Sequence, residues 1–307
     1  MDFKTCIASR PTILMEGALG ERLKREFGLD INGPVSMAGL VYEEKGRIAL
    51  ATLWKEYMDI AQRYQLPFIA TTPTRRANKE RVRMAGYDGA IIEDNVNFLF
   101  EIKESSSVEM YIGGLMGCKG DAYTGDGALS VEQAIDFHCW QADLFKSAGV
   151  DFLYAGIMPV LAEATGMATV MSETDIPYII SFTIQKDGKL IDGHTIDYAI
   201  RFIDDNVANE PIGYMTNCVH PDIVYKALSH TFNRTEAVHL RFIGIQANTS
   251  ALTYQELDGA KDLQTSSPDD LAKDMMKLKS DYHFKVFGGC CGTDQRHIEE
   301  IAKLISR

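Results

Sequence analysis

Two adjacent cysteines, Cys290 and Cys291, follow a pair of glycines in the segment KVFGGCCGTDQRHIEEI (residues 285–301). Neighbouring Cα atoms lie ~3.8 Å apart whereas an ordinary disulfide needs ~5.5 Å, so these thiols are poorly placed to bond to each other. A third cysteine, Cys218, ends another apolar run. Three thiolates are too few for a structural zinc site, but they suit a catalytic site with one open position. Such a site can accept a substrate thiol, lower its pKa and hold it as a nucleophile.

Two interpretations of these cysteines stay open on residue chemistry alone. In the metal interpretation, Gly288 and Gly289 let the backbone turn sharply beneath the metal. In the alternative, Cys290 and Cys291 are small core residues and the glycines only form a turn, since free cysteine is usually buried. His220, close after Cys218, is a weaker candidate ligand because it would block the open position.

Eight short apolar runs recur along the chain, and helical stretches separate them. They span residues 12–17, 67–72, 109–115, 151–156, 178–183, 212–218, 241–248 and 284–289. Most are continuously apolar, which is typical of parallel strands covered on both faces. Strands alternating with helices predict right-handed βαβ units, and eight units predict one (β/α)8 TIM barrel domain over residues 1–307. A doubly wound sheet would need a glycine-rich phosphate turn after the first strand, and EGALG (16–20) lacks that spacing.

The barrel prediction gives the cysteines a common location. Active sites of such barrels lie at the carboxyl ends of the strands. Cys218 ends the sixth run, and Cys290 and Cys291 end the eighth, so a closed barrel would bring them together although they lie far apart in the sequence.

The charge balance excludes some partners. The 307 residues include 43 acidic and 31 basic side chains, for a net charge of −12, which disfavours nucleic acid and anionic membranes. No stretch approaches the ~20 apolar residues of a membrane span, and the N-terminus shows no signal peptide pattern. We therefore expect a cytoplasmic protein with its six cysteines reduced. The oligomeric state stays open, a homo-oligomer included.

The cysteine motifs resemble those of a known family. GGCCGT followed by Arg-His-Ile at a helix start, together with the upstream TNC (216–218), resembles the homocysteine S-methyltransferase family. MEGALGERL (15–23) is similar to that family's opening D-G-A-x-G-T-E-L, and FIATTPTRRAN (68–78) to its T-N-T-F-x-A-N. The resemblance continues through the third, fourth and fifth strand runs and so covers nearly the whole chain.

The resemblance implies both a reaction and a site. It implies a (β/α)8 barrel that moves a methyl group from a sulfonium or ammonium donor to a thiol, by default homocysteine, giving methionine. The cofactor would be Zn2+ held by Cys218, Cys290 and Cys291, and the partners a small-molecule thiol and the methyl donor. Glu16 and Asn217 would be catalytic residues, with Asn217 either orienting the loop beside Cys218 or donating to the acceptor. Asp121, Tyr123 and Asp126, on the loop after the third strand, could meet the cationic donor.

Several expected substrate contacts depart from the family pattern. The predicted substrate-binding residues are Glu16, Gly17, Arg75, Arg76, Gly156 and Asn248. Glu16 replaces the family's aspartate, and Gly156 replaces a glutamate that engages the homocysteine ammonium. That loss would remove a charge-assisted contact worth ~1.5 to 3 kcal/mol.

Three functions are therefore consistent with the sequence. The first is methyl transfer to homocysteine. The second is methyl transfer to another thiol without the amino acid head group, whose anion would meet Arg75 or Arg76, although both arginines could equally be solvated at a helix start. The third is a catalytically silent barrel that binds zinc or a thiol.

Overall fold

The strands form a closed barrel. The structure is a computed structural model that describes residues 1–251 and 265–307. Eight parallel strands follow one another in chain order, and the eighth pairs with the first. They are β1 (Ile13–Met15), β2 (Phe68–Thr71), β3 (Met110–Gly117), β4 (Phe152–Met158), β5 (Tyr178–Phe182), β6 (Gly213–Val219), β7 (Phe242–Ala247) and β8 (Val286–Gly289). The predicted (β/α)8 TIM barrel is confirmed.

Helices connect the strands and surround the barrel. Those in the described ranges are α1 (Phe3–Ser9), α2 (Gly20–Phe27), α3 (Glu44–Arg63), α4 (Lys79–Met84), α5 (Ala90–Glu104), α6 (Val131–Ala148), α7 (Leu161–Ser172), α8 (Ile196–Asn206), α9 (Pro221–Ser229), α10 (Glu236–Arg241), α11 (Pro268–Tyr282) and α12 (Gln295–Ile305). The same ranges contain two 3-10 helices, Ser36–Tyr42 and Thr231–Asn233. Local signals set their ends: Ser130 and Gln133 form a capping box at the start of α6, and Gly149 ends that helix with φ 77°.

Two apolar layers hold the fold together. Along each strand, alternate residues point into the barrel or out toward the helices. Inward residues such as Met15, Tyr154 and Met215 form one buried cluster, whereas outward residues such as Leu14 and Tyr214 pack against the helices. Because both faces of each strand are covered, the strand sequences are continuously apolar.

Helix α1 closes the amino-terminal end of the barrel. Phe3 stacks on Phe152 at 4.0 Å and lies 5.3 Å from Tyr111, both ring-centroid distances. Cys6 is fully buried in the same interior cluster. The polar side chains and the remaining chemistry therefore lie toward the carboxyl ends of the strands.

Within the described ranges, the search for a helix both long and apolar enough to cross a bilayer finds none.

Candidate metal and active site

Three thiols converge at the carboxyl end of the barrel. The sulfur atoms of Cys218, Cys290 and Cys291 all lie within 4.8 Å of one another, and the Cys218 and Cys291 sulfurs are 3.4 Å apart. Zn–S bonds of ~2.3 Å in a tetrahedral site place sulfurs about 3.8 Å apart, so the thiols fit around one ion with little movement. This is the only group in the described part of the chain that has metal-ligand spacing.

An unusual backbone conformation turns Cys218 toward the other two cysteines. Cys218 has φ 58°, and the pairing of β6 with β7 shifts register between Asn217 and Val219. A β-bulge of this kind lets two successive side chains face the same side of a sheet. Left-handed backbone is uncommon for residues other than glycine and concentrates at functional sites.

The glycines before Cys290 permit close packing. A Cβ on Gly288 would lie 2.8 Å from the Met15 Cβ, and one on Gly289 would lie 2.2 Å from the Thr293 Oγ1. Both glycines belong to strand β8, so the prediction that the backbone turns sharply at them is wrong. The positive φ, 82°, occurs instead at Gly292, just after the cysteine pair.

Backbone hydrogen bonds join the loops that carry the thiols. The Cys290 amide donates to the Ala247 carbonyl at 2.7 Å, and the Thr249 amide donates to the Cys291 carbonyl at 3.1 Å. Asn248 lies between Ala247 and Thr249 in the sequence, and its side-chain nitrogen Nδ2 is 3.6 Å from the Cys218 sulfur. Asn248, a predicted substrate contact, therefore lies directly against one of the thiols.

The three thiols change one another's pKa values. Hydrogen bonds from Cys290 and Cys291 lower the pKa of the Cys218 thiol well below its ordinary value. Hydrogen bonding with Cys218 raises the pKa values of the Cys290 and Cys291 thiols. The Tyr123 hydroxyl donates to the Cys218 sulfur as well, at 3.2 Å.

The contact of Tyr123 with a thiol is one that the sequence does not predict. Its hydroxyl lies on the Cys218 sulfur, and its contact with a cationic donor stays a prediction. Burial has the largest effect on the pKa of Tyr123 and raises it, and negative charge on Cys218 raises it further. A tyrosine in a glycine-rich loop gives no sequence signal for such a contact, because the loop's path depends on the folded barrel.

A buried carboxylate fixes both ends of the loop that carries Tyr123. Glu163, in the first turn of α7, accepts hydrogen bonds from the Lys119 amide at 2.7 Å and the Leu129 amide at 3.3 Å. The His138 Nε2 lies 3.1 Å from the same carboxylate. Glu163 and His138 are both almost fully buried.

Glu16 is also buried, and its carboxylate accepts hydrogen bonds from β2 and α3. One oxygen accepts hydrogen bonds from the Thr71 amide (3.0 Å) and hydroxyl (2.5 Å), and the other accepts one from the Trp54 indole (2.6 Å). Burial raises its pKa to about 7. The adjacent Gly17 lets β1 approach α3, since a Cβ there would lie 2.8 Å from the Tyr57 ring. Substrate contact by either residue stays a prediction.

Asn217 lies in a polar network beneath the thiols. Its amide nitrogen donates to the Gln246 side chain at 2.7 Å and to the Tyr154 hydroxyl at 3.0 Å. Its oxygen accepts hydrogen bonds from the Ile157 amide at 3.0 Å and from the Ser181 hydroxyl. These bonds use the whole amide, so in this structure Asn217 orients β4, β6 and β7.

The remaining predicted residues lie at the ends of β2 to β4. Gly156 lies in β4, and Arg75 and Arg76 are half-buried in the loop after β2. His220 does not join the thiols: it caps α9 and lies 3.0 Å from the Ser266 hydroxyl.

Comparisons with known proteins identify a family and agree with the barrel fold. Residues 13–305 match the family model described as homocysteine S-methyltransferase. Homocysteine S-methyltransferase YbgG of Bacillus subtilis (strain 168) is 23% identical over 312 residues, covering 95% of this chain and 94% of that protein. The homocysteine methyltransferase MmuM of Escherichia coli is similar in fold. Its oxidized form gives a TM-score of 0.77 at 19% identity and 97% coverage of both chains. Its metallated form gives 0.76 at 19% identity and 98% coverage of both chains.

Proposed function

The chain belongs to the homocysteine S-methyltransferase family, and from that premise we propose that it is a zinc-dependent S-methyltransferase acting on a thiol. The methyl group would come from a sulfonium or ammonium donor, and homocysteine is the first acceptor to test. The single observation that carries the proposal is the convergence of three cysteine sulfurs from two separated strand ends.

Zinc is the metal that this ligand set favours. Three soft thiolates are suited to zinc, and a three-ligand shell leaves a position for substrate. Bound zinc would lower the pKa of an incoming thiol and hold it as a thiolate at neutral pH. All six cysteines of the chain are free thiols. The proposed cytoplasmic location would keep them reduced.

The chain's own contribution is positioning. The bulge at Cys218 and the bonded loops after β7 and β8 fix the sulfurs in place. Methyl transfer is a displacement in which the acceptor sulfur bonds the methyl carbon as the donor's bond breaks, so alignment of the two substrates supplies much of the rate. The net charge of −12 favours approach of a cationic donor.

Turnover with and without metal tests the proposal. Zinc-loaded protein is given homocysteine with S-methylmethionine, S-adenosylmethionine or betaine, and methionine is quantified. We expect turnover with at least one donor, loss of more than about a hundredfold after chelation, and recovery with zinc.

The control is Cys139→Ala, which removes an exposed thiol on α6 and should retain activity. Zinc-loaded protein that methylates no thiol with any of these donors would contradict the proposal and favour a silent zinc- or thiol-binding barrel.

A further inference from the structure

One wall of the barrel's carboxyl end is made of two paired glycines. Gly117 of β3 and Gly156 of β4 are partners in the strand register. Tyr111 and Tyr154 point into the barrel interior, so by alternation Gly117 and Gly156 face inward too. In the closed ring, β3 and β4 lie across from β7 and β8, which lead to Asn248 and the cysteine pair. This glycine wall, Gly117 and Gly156, therefore faces the Cys290 and Cys291 side of the site.

An apolar side chain and a cation fill the space that the glycines leave. A Cβ on Gly156 would lie 2.7 Å from the Leu115 Cδ1, so Leu115 covers that position. A Cβ on Gly117 would lie 2.6 Å from the Arg75 Cγ, so the stem of Arg75 crosses the inner face of β3. A substrate that extends from the thiols to this wall would meet the Leu115 side chain and the stem of Arg75 there.

Arg75 and Arg76 form no direct salt bridge in the parts of the chain that the structure describes. The carboxylate of Asp121, on the loop after β3, lies near enough for the positive charge of Arg75 to lower its pKa, but it makes no ion pair with the guanidinium. Burial and the positive charges of Arg81 and Arg75 lower the pKa of Arg76, so this edge of the barrel is locally cationic. A half-buried guanidinium is stabilised by a ligand carboxylate that forms two parallel hydrogen bonds with it.

The two buried carboxylates at this end, Glu16 and Glu163, already accept hydrogen bonds from the protein. Both oxygens of Glu16 accept hydrogen bonds from Thr71 and Trp54. Both oxygens of Glu163 accept hydrogen bonds from the loop that carries Tyr123. Three hydrogen bonds on each carboxylate leave about one acceptor site for an α-ammonium group, and burial raises the pKa of Glu16 to about 7, which weakens its negative charge. An α-ammonium group placed at the glycine wall would lie against Leu115 and Arg75, which is unfavourable.

We propose that the natural acceptor is a thiol carboxylate without an α-ammonium group, and that Arg75 binds its carboxylate. This inference rests on the proposed methyl transfer. The acceptor sulfur, as thiolate, attacks the donor's methyl carbon and forms the new S–C bond. The donor's bond to that methyl breaks, its electron pair stays on the donor sulfur or nitrogen, and the acceptor's proton passes to solvent. The product is an S-methyl thioether carboxylate.

Three matched thiols test the inference on the unaltered protein. Removing the amino group of homocysteine gives 4-mercaptobutyrate, and removing its carboxylate gives 3-aminopropane-1-thiol. With zinc-loaded protein and a fixed donor, we expect kcat/KM for 4-mercaptobutyrate to exceed that for homocysteine at least about tenfold, with 3-aminopropane-1-thiol the poorest. Calorimetry without donor should give the same order of affinities.

The variant Arg75→Ala then tests whether Arg75 binds the carboxylate of the acceptor. It should lower kcat/KM and affinity for 4-mercaptobutyrate about tenfold to a hundredfold and leave 3-aminopropane-1-thiol unchanged. The matched control is Arg83→Ala, which removes an exposed arginine on α4 and should change neither. If Arg75→Ala fails to fold, Arg75→Met keeps the length of the stem without the charge.

The outcomes separate the two proposals. Preference for homocysteine over 4-mercaptobutyrate, or an equal effect of Arg75→Ala on all three thiols, overturns this inference and leaves methyl transfer intact. Arg75-dependent binding of 4-mercaptobutyrate without turnover by any donor supports the carboxylate site and overturns methyl transfer.

Discussion

Glu16 keeps a carboxyl group in an apolar setting at the ends of β1 and β2. Its described partners, Thr71 and Trp54, are uncharged donors. Burial outweighs these hydrogen bonds and raises its pKa to about 7 from the ordinary value of 4.5. The folded protein therefore favours the protonated form, so near neutral pH a small change in environment changes the charge of this residue.

The sign of the resulting pH dependence follows from linkage. A carboxyl group whose pKa is raised by folding stabilises the fold fully below pH 4.5, and this stabilisation is lost as the pH rises through about 7. Between pH 5 and 8 we expect the free energy of unfolding of the wild type to fall by about 2 to 3 kcal/mol relative to Glu16→Gln. Denaturant titrations of the metal-free proteins measure this difference, since other titrating groups cancel between them.

Glu104→Gln is the matched control. Glu104 is exposed, so its substitution should give no such pH-dependent difference. A difference between wild type and Glu16→Gln that stays constant from pH 5 to 8 would show that Glu16 titrates normally.

At the residue scale, sequence reasoning found chemistry more easily than geometry. The three cysteines were identifiable because their type is rare and they end predicted strands. The φ of Cys218 was not, since a bulge depends on the register with the neighbouring strand. For the same reason the partners of Asn217, next to Cys218 in sequence, were not predictable: it binds Tyr154, Gln246 and the backbone of Ile157, and a direct role toward substrate stays a prediction.

At the scale of elements, α7 fixes the loop over the site. Glu163 binds the amides of Lys119 and Leu129, and the loop between them carries Tyr123 onto Cys218. A buried acceptor shared by two loop ends couples the position of the helix to the position of the loop.

Glu163→Gln tests that coupling. The amide has one acceptor oxygen, so it can satisfy only one of the two loop ends and places a donor against the other. We expect a loss of about 1 to 3 kcal/mol in the free energy of unfolding and faster hydrogen exchange at the Lys119 and Leu129 amides.

Glu173→Gln, an exposed substitution at the end of α7, should leave stability and exchange at the wild-type level. Unchanged exchange at both amides in Glu163→Gln would show that other contacts hold the loop.

The strands were predictable as elements and α1 was not. Continuous apolar runs bounded by helical stretches located all eight strands to within a few residues. Helix α1 has only seven residues, or about two helical turns. Its apolar residues, Phe3, Cys6 and Ile7, are therefore too few to show a helical repeat in the sequence. Its role as the closure of the barrel's amino-terminal end comes from contacts with Tyr111 and Phe152, which lie far along the chain.

At the scale of the whole molecule, barrel closure creates the site. Cys218 and the Cys290–Cys291 pair meet because β6, β7 and β8 are consecutive in the ring. The two apolar layers that stabilise the barrel include none of these three cysteines. Metal binding and folding should therefore be separable, as in a catalytic rather than a structural metal site.

Metal content per chain tests the central claim most directly. We predict about one zinc ion per chain, measured by mass spectrometry, in the wild type and in Cys139→Ala, which removes a thiol outside the cluster. Cys218→Ala, Cys290→Ala and Cys291→Ala should each retain almost none, with circular dichroism showing a folded barrel. Wild-type zinc content in any of these three variants, or a wild type that takes up no zinc, would contradict the claim that the three thiols bind one ion.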